Sequence, residues 1–235
     1  MCTLTWRAAG DGYDLFFNRD ERDTRAPEVG PAPGATSTGV RYLAPADGDH
    51  RGTWLVLNEH GMTVCLLNDY PRGMAEIGRE SRGRIPLICA GCTRAADVPR
   101  LLCETVVLTD YAPFHLVAVD VSGTSGAVHL RWDGRTLHEA SAPEFLTSSS
   151  YEPERVRAER AARFTALTER STEVLRAFHY QHDAEAGAES VLMRRPDAST
   201  RSVCAVHVRG AVRELVYEPV SWSGMNMGGP MTLRV

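Results

Sequence analysis

The sequence predicts an α+β layered fold, in which sheets pack face to face and helices cover the outside. Strand-like segments stand at both ends of the chain and the middle turns helical. No linker-like stretch separates two cores, so residues 1–235 are read as a single domain. Hydrophobic residues make up 43% and charged residues 24%, the balance of a chain that buries a core rather than of a disordered or fibrous one.

The elements follow in order. Residues 2–7 alternate (CTLTWR), and residues 13–18 are apolar enough for a buried strand. With Asp11-Gly12 as the turn they form a hairpin, which brings position 2 near positions 16–20. Residues 27–48, rich in Pro, Gly, Ser, Thr and Ala, read as a long surface loop of the kind that serves as a functional lid. Two apolar runs, 53–57 and 62–67, are joined by Asn58-Glu59-His60-Gly61 and predict a second hairpin. Residues 81–107 switch to helical character, with Asp97 as N-cap and Pro99 in the first turn. Strands return at residues 114–119, 128–132 and 145–148. The longest helical signal is 152–170, with Val156, Ala161, Phe164 and Leu167 turned to a core. Its Arg155, Arg157, Arg160 and Arg163, interleaved with Glu154 and Glu159, read as a solvated face. Two closing strands, 202–209 and 212–217, meet at Gly210-Ala211.

Several chemistries are excluded. The formal charge of −4 offers no net basic field for nucleic acid or an anionic membrane. All 26 basic residues are arginine, so sites built on a lysine amine (Schiff bases, phosphate loops, kinase-type sites) are absent. Arginine in place of lysine, with only Ile77, Ile85 and Ile88 as isoleucines, matches the codon bias of a high-GC bacterium. The amino terminus carries no basic segment followed by a long apolar one, and no run of 18 apolar residues occurs, so a cytoplasmic protein without a membrane partner is expected. Six cysteines are too sparse for a disulfide framework. Cys89-x-x-Cys92 has no second pair and reads as core. His179 and His182 lack a carboxylate-rich partner segment, and His129, His138 and His207 sit among strand-like residues as satisfied side chains. No metal and no cofactor are expected. The serines at 148–150 lack the G-x-S-x-G elbow of a serine hydrolase.

Cysteine at position 2 has a specific consequence. Removal of Met1, which aminopeptidases carry out ahead of a small side chain, leaves a cysteine with a free α-amine of pKa about 7.7–8.0. That amine is able to serve as general base for its own thiol, uniting nucleophile and base in one residue. The alternative is a passive terminus.

Met1-Cys2-Thr3, Phe17-Asn18-Arg19-Asp20-Glu21, Gly52-Thr53-Trp54-Leu55 and the run from Asn58-Glu59-His60-Gly61 to Leu67-Asn68 together resemble the NRDE family, named for its Asn-Arg-Asp-Glu motif, which includes the transport and Golgi organisation 2 proteins. Ser81-Arg82-Gly83, the strand of residues 114–120, Leu146-Thr147-Ser148-Ser149-Ser150, Met193-Arg194, Thr200-Arg201-Ser202 and Tyr217 extend the resemblance over almost the whole chain. The family in turn resembles N-terminal-nucleophile hydrolases: penicillin V acylases, bile-salt hydrolases and acyl-CoA:isopenicillin N acyltransferases.

The resemblance implies a four-layer αββα sandwich. It implies Cys2 as nucleophile, Asp20 as holder of the α-amine and Asn68 as a donor to the oxyanion, with Asn18, Arg19 and Ser148 in supporting or substrate-binding positions. Two departures stand out. Many acylases carry an arginine where this chain has Phe17, and Arg19 is not expected to replace it, since Asn18 and Asp20 share the other face of the strand. The acylases also carry an asparagine where this chain has Ser148, whose reach is shorter. On the residues alone, Arg19 and Asp20 also fit an ion pair, and Asn68 fits a strand end before Asp69-Tyr70-Pro71. The expected function is a cysteine amidohydrolase or acyltransferase acting on an amide or ester of a small molecule. The alternative is a non-catalytic binding or trafficking protein for a lipid or haem, although neither a Cys-Pro dipeptide nor C-x-x-C-H is present to select haem. Specificity is assigned to the loops of residues 27–48 and 70–84.

Overall fold

A computed structural model describes residues 1–71, 78–122, 126–222 and 226–235. The first half of the chain runs β1 (Cys2–Ala9), β2 (Gly12–Arg22), β3 (Val29–Ala35), β4 (Arg41–Ala46), β5 (Leu55–Asn58), β6 (Thr63–Asn68), α1 (Ile85–Cys89), α2 (Val98–Thr105) and β7 (Phe114–Val119). The second runs β8 (Val128–Trp132), β9 (Leu137–Ser141), β10 (Phe145–Ser148), α3 (Pro153–Thr165), α4 (Thr172–His179), β11 (Arg194–Arg195), β12 (Ala198–Arg209), β13 (Val212–Ser221), β14 (Asn226–Met227) and β15 (Met231–Arg234).

Two antiparallel sheets result. One has the order β10-β1-β2-β12-β13-β14, with β11 added on β12 and β15 on β13; the other runs β3 to β9 in chain order. The inner faces meet through Leu4, Trp6, Leu15 and Phe17 on the first sheet and Leu55, Leu57, Leu67 and Val117 on the second. The outer face of the first sheet carries Phe16, which packs with Phe164 of α3 and Leu175 and Phe178 of α4. On the far side, Val64, Leu66, Phe114 and Leu116 pack under Ile85 and Cys89 of α1 and Val98 and Leu102 of α2. The layers are therefore α, β, β, α.

Position in this sandwich explains the patterns. Strand β2 is covered on both faces, so residues 12–20 are all buried and no polar alternation survives. The first hairpin turns at Gly10-Asp11, one residue before the expected Asp11-Gly12, and pairs Cys2 with Arg19 and Thr5 with Phe16, so position 2 does meet the 16–20 segment. The second hairpin pairs Leu55 with Cys65.

Residues 27–48 are not one long loop. Most of them form β3 and β4, paired from Ala35 opposite Arg41 to Val29 opposite Ala46. Pro31 and Pro33 lie in β3, an edge strand, and Pro45 lies in β4 beyond the residues that pair with β5, so none of them interrupts a ladder on two sides. Gly34 is required there: a Cβ at this position would stand 2.5 Å from Cζ of Tyr42. Asp97 precedes α2 as expected but makes no capping bond; its carboxylate takes the guanidinium of Arg94 at 3.1 and 3.2 Å. Helix α3 ends at Thr165, well short of residue 170, and its inward positions are Val156, Arg160 and Phe164. Arg160 is thus a correction to the solvated arginine face: it is fully buried, whereas Arg155 and Arg157 are exposed.

Candidate active site

The start of β1, the end of β2 and the end of β6 converge on a cleft of about 590 Å³. Cys2, Arg19 and Asp20 of the first sheet and Asn68 of the second all line it. One wall is closed by a near contact of two backbones, where Thr53 N–H donates to the carbonyl of Gly83 at 2.9 Å. A Cβ on Gly52 would sit 2.8 Å from Gly83 Cα, so glycine is needed at this junction. The specificity loop of residues 70–84 enters the cleft through Tyr70 and residues 78–83; its residues 72–77 lie outside the described residues.

Alternation along β2 sorts the motif. Asn18 and Asp20 point to the helical layer and Arg19 to the other sheet. Asn18 donates through Nδ2 to the carbonyls of His179 (2.9 Å) and Val191 (3.0 Å). Its Oδ1 lies 2.6 Å from Nδ1 of His179, so that ring nitrogen carries the proton. Nε2 of the same ring then accepts from Thr5 Oγ1 at 2.8 Å. Asn18 is fully buried and absent from the cleft lining; it fastens the end of α4 behind the site instead of meeting substrate.

Asp20 is 2% exposed and doubly held. Its Oδ1 accepts from Thr200 Oγ1 at 2.7 Å and its Oδ2 from Arg160 Nη1 at 3.1 Å. Arg160 also donates to Thr3 Oγ1 (2.7 Å), Thr147 Oγ1 (3.3 Å) and the carbonyl of Ala188 (2.9 Å). The contact implied for Asp20, carboxylate to amine, is not the one found in the chain that bears Met1. There the terminal ammonium donates to the backbone carbonyl of Asp20 at 3.1 Å. Burial pulls the pKa of this amine down, but the negative charges of Tyr70, Cys2, Asp20 and Glu21 outweigh it and push the value up to about 10. Burial likewise pushes the Cys2 thiol up to about 11, against the opposing pull of the terminal amine and Arg19. The thiol is therefore protonated near neutral pH and needs a base.

Arg19 stands directly opposite Cys2 in the ladder. Its guanidinium lies 4.5 Å over the ring of Trp54 and is clamped by Glu28 and Asp47, each at 2.6 Å. Phe17, two residues earlier, faces the same inter-sheet core. Arg19 thus shares the inter-sheet face of β2 with Phe17, one pleat nearer the strand end, while Asn18 and Asp20 take the other face. Ser148 lies opposite Cys2 on the other side, and its Oγ is buried without a hydrogen-bond partner among the described residues. Asn68 ends β6 and donates through Nδ2 to the Tyr70 hydroxyl at 3.2 Å. The next residue anchors it: Asp69 is buried, bound to Arg131 at 2.8 Å and to the Tyr70 backbone N–H at 2.8 Å, and lies 3.6 Å from His115. Burial raises its carboxyl pKa, but His115 and Arg131 prevail and hold it well below the usual range.

The remaining candidates fall outside the cleft. Cys89 and Cys92 are buried in the core under α1. His129 bonds to His115 (3.0 Å), His138 to Asp133 (2.7 Å), His207 to Asp14 (2.7 Å) and His182 to the carbonyl of Leu192 (2.9 Å). Among the described residues no group of three or more His, Cys, Asp or Glu is arranged to hold a metal ion, and no helix is long and apolar enough to cross a membrane.

His179 gives a first prediction. Burial foremost, then the charge of Arg160, lowers its pKa to about 3. The unfolded chain binds a proton below about pH 6.5 that the folded chain refuses. Stability is expected to hold down to that pH and then fall by a few kcal/mol as the pH approaches 3. Urea midpoints measured across this window should show the loss, and a His179→Gln variant should show a shallower slope; equal slopes would contradict the assignment.

Comparison with known proteins agrees with the fold. The fold matches a mutant of conjugated bile acid hydrolase from Clostridium perfringens with a TM-score of 0.56 at 12% identity, over 100% of this chain and 96% of that one. It matches a Caenorhabditis elegans ortholog of N-acylethanolamine-hydrolyzing acid amidase with a TM-score of 0.60 at 8% identity, over 88% and 92%. A second variant of the Clostridium hydrolase matches with a TM-score of 0.56 at 12% identity, over 100% and 97%. A sequence search of curated proteins returned no match. The likenesses give the fold as the αββα sandwich of the N-terminal-nucleophile hydrolases. The sequence profile of one family, Transport and Golgi organisation 2, matches residues 1–204, and the chain belongs to that family.

Proposed function

We propose that the chain, once Met1 is removed, is a cysteine N-terminal-nucleophile amidohydrolase or acyltransferase acting on an amide or ester of a small molecule. The observation that carries this reading is the convergence of Cys2, Asp20 and Asn68, from three strands of two sheets, on one cleft. The freed amine of Cys2 takes the proton of its own thiol, and Sγ attacks the substrate carbonyl carbon. The oxyanion that forms is met by Asn68 Nδ2, released from Tyr70. As the C–N or C–O bond breaks, the ammonium returns its proton to the leaving atom. Water or a second acyl acceptor, deprotonated by the same amine, then resolves the thioester. Arg160 and Thr200 fix the Asp20 carboxylate, which in this mechanism serves the freed amine, and Arg19 stands opposite Cys2 with its positive charge.

A lipid- or haem-binding role would ask for an apolar lining. The cleft sets Arg22, Arg25, His50, Arg79 and Glu80 beside Trp54, Leu66 and Met193, a mixed lining that suits a small molecule with both polar and apolar parts.

The test compares protein that begins at Cys2 with protein that keeps Met1, using a panel of N-acyl amides and esters. Intact mass should show one methionine residue lost from active, untagged protein, and a transient acyl adduct on the Met1-free form alone. Activity in a sample of full-length mass would overturn the free-amine mechanism. An Asn68→Ala variant is expected to lose about 10²–10³ in kcat, with its unfolding midpoint little changed because Asn68 sits at a strand end.

A further inference from the structure

Met1 does not dangle at the end of the first strand. It is 8% exposed, and its side chain fills a small pocket formed by Val156, Ala188, Met193 and Ala198. The hydroxyl oxygen of Ser149, itself 1% exposed, lies 2.7 Å from Met1 Sδ and donates to the carbonyl of Tyr151. The terminal nitrogen donates to the Asp20 carbonyl at 3.1 Å, and the Met1 carbonyl accepts from the Asp20 N–H at 3.0 Å. Every part of this residue therefore has a built partner: an apolar sleeve, a hydroxyl along it, and a carbonyl at its nitrogen. The site also opens to the cleft, since Met1, Met193 and Ala198 line both.

We infer that the place held by Met1 is the leaving-group subsite of the reaction proposed above, and that it takes an unbranched primary amine no longer than methionine from its nitrogen to its Cε. The inference rests on that reading for its role in turnover, but the pocket itself does not. Standard bond lengths put the Met1 nitrogen within about 3.7 Å of the Cys2 nitrogen. Once Met1 is gone, a substrate nitrogen in the same place lies within reach of the new α-amine, which must protonate it as the C–N bond breaks. On that side of the scissile carbonyl the leaving chain runs into the sleeve, while the acyl group extends into the open cleft. In the amide the leaving nitrogen donates one N–H to the Asp20 carbonyl. After C–N cleavage and proton transfer it departs as the free amine, with Cys2 left as its thioester. Val156, Ala188, Met193 and Ala198 around the sleeve are themselves buried, so a chain longer or more branched than that of Met1 would have to displace them.

The first experiment needs no turnover. Met1-free protein is titrated with n-alkylamines by calorimetry, and affinity should rise about fourfold per methylene up to n-pentylamine and fall for n-octylamine and neopentylamine. Protein that keeps Met1 should bind none of them. Ala198→Leu in the Met1-free form should weaken n-pentylamine by about tenfold or more; if that variant does not fold, the Met1-bearing protein supplies the filled-pocket comparison. Equal binding by the two forms, or tighter binding of the longer or branched amines, would overturn the subsite. A second experiment measures kcat/KM for amides of one acyl group with the same amines, where a maximum at pentyl is expected. Amine binding without hydrolysis of any amide upholds the pocket and rejects the hydrolase; Cys2-dependent hydrolysis indifferent to the leaving chain upholds the hydrolase and rejects the subsite.

Discussion

Exchange of Cys2 for alanine in Met1-free protein is expected to lower kcat on any amide the enzyme hydrolyses by about 10⁴-fold or more, because no other group is placed to form the covalent bond. The described neighbours bear this out. Cys65 and Cys204 are fully buried in the inter-sheet core, and Ser148 has no base at its hydroxyl. The loss should come without unfolding. Cys2 is only partly buried at the first position of β1, and its ladder bonds to β2 and β10 use backbone atoms that alanine keeps. Cys2→Ser tests the same step differently. Its hydroxyl is a weaker acid than a thiol already raised to about 11, so the α-amine deprotonates it less readily and a slower acylation should remain. The measurement is single-turnover acylation alongside thermal unfolding. Full turnover by the alanine variant, with an unchanged melting curve, would remove Cys2 from the chemistry.

Legibility in the sequence followed layer and position. The first hairpin was readable because β1 and β2 flank a turn glycine and because the paired motif residues, Cys2 against Arg19, lie at its open end. Strands β7, β8 and β10 were readable from their apolar runs. Strand β15 was not, and of β9 only the strand-like surroundings of His138 were: both lie at sheet margins and are almost wholly exposed, so no buried face imposes a pattern on them. The β3–β4 hairpin was hidden by prolines, which an edge position tolerates. At the site, the gathering of Cys2, Asp20 and Asn68 was visible through motif resemblance, but the roles of their neighbours were not. Asn18 looked like a site residue because it shares a face with Asp20, yet that face is the one α4 covers. Arg160 was invisible for the opposite reason. In a helix bearing Arg155, Arg157 and Arg163 it reads as one more exposed charge, and only its spacing of four from Val156 and from Phe164 betrays that it shares their buried stripe.

Replacement of Arg160 by methionine is expected to destabilise the fold by about 3–5 kcal/mol, a drop of about 6–20 °C in Tm for a chain of this size. Arg160 and Asp20 both have fully buried side chains, and the carboxylate would be left with Thr200 as its remaining side-chain partner. Methionine restores most of the volume, so the cost falls on the uncompensated charge and on the carbonyl of Ala188 and hydroxyls of Thr3 and Thr147 that lose a donor. The double variant Arg160→Met with Asp20→Asn separates these terms. Neutralising both ends removes the buried charge, and much of the lost stability should return, because a buried pair is worth little net while half of one is costly. Activity should not return with it, since in the proposed mechanism the Asp20 carboxylate, held by Arg160 and Thr200, serves the α-amine of Cys2. A double variant that regains stability but stays inactive assigns the pair a positioning role at the amine. Recovery of both would make Arg160 a packing residue and take Asp20 out of the mechanism.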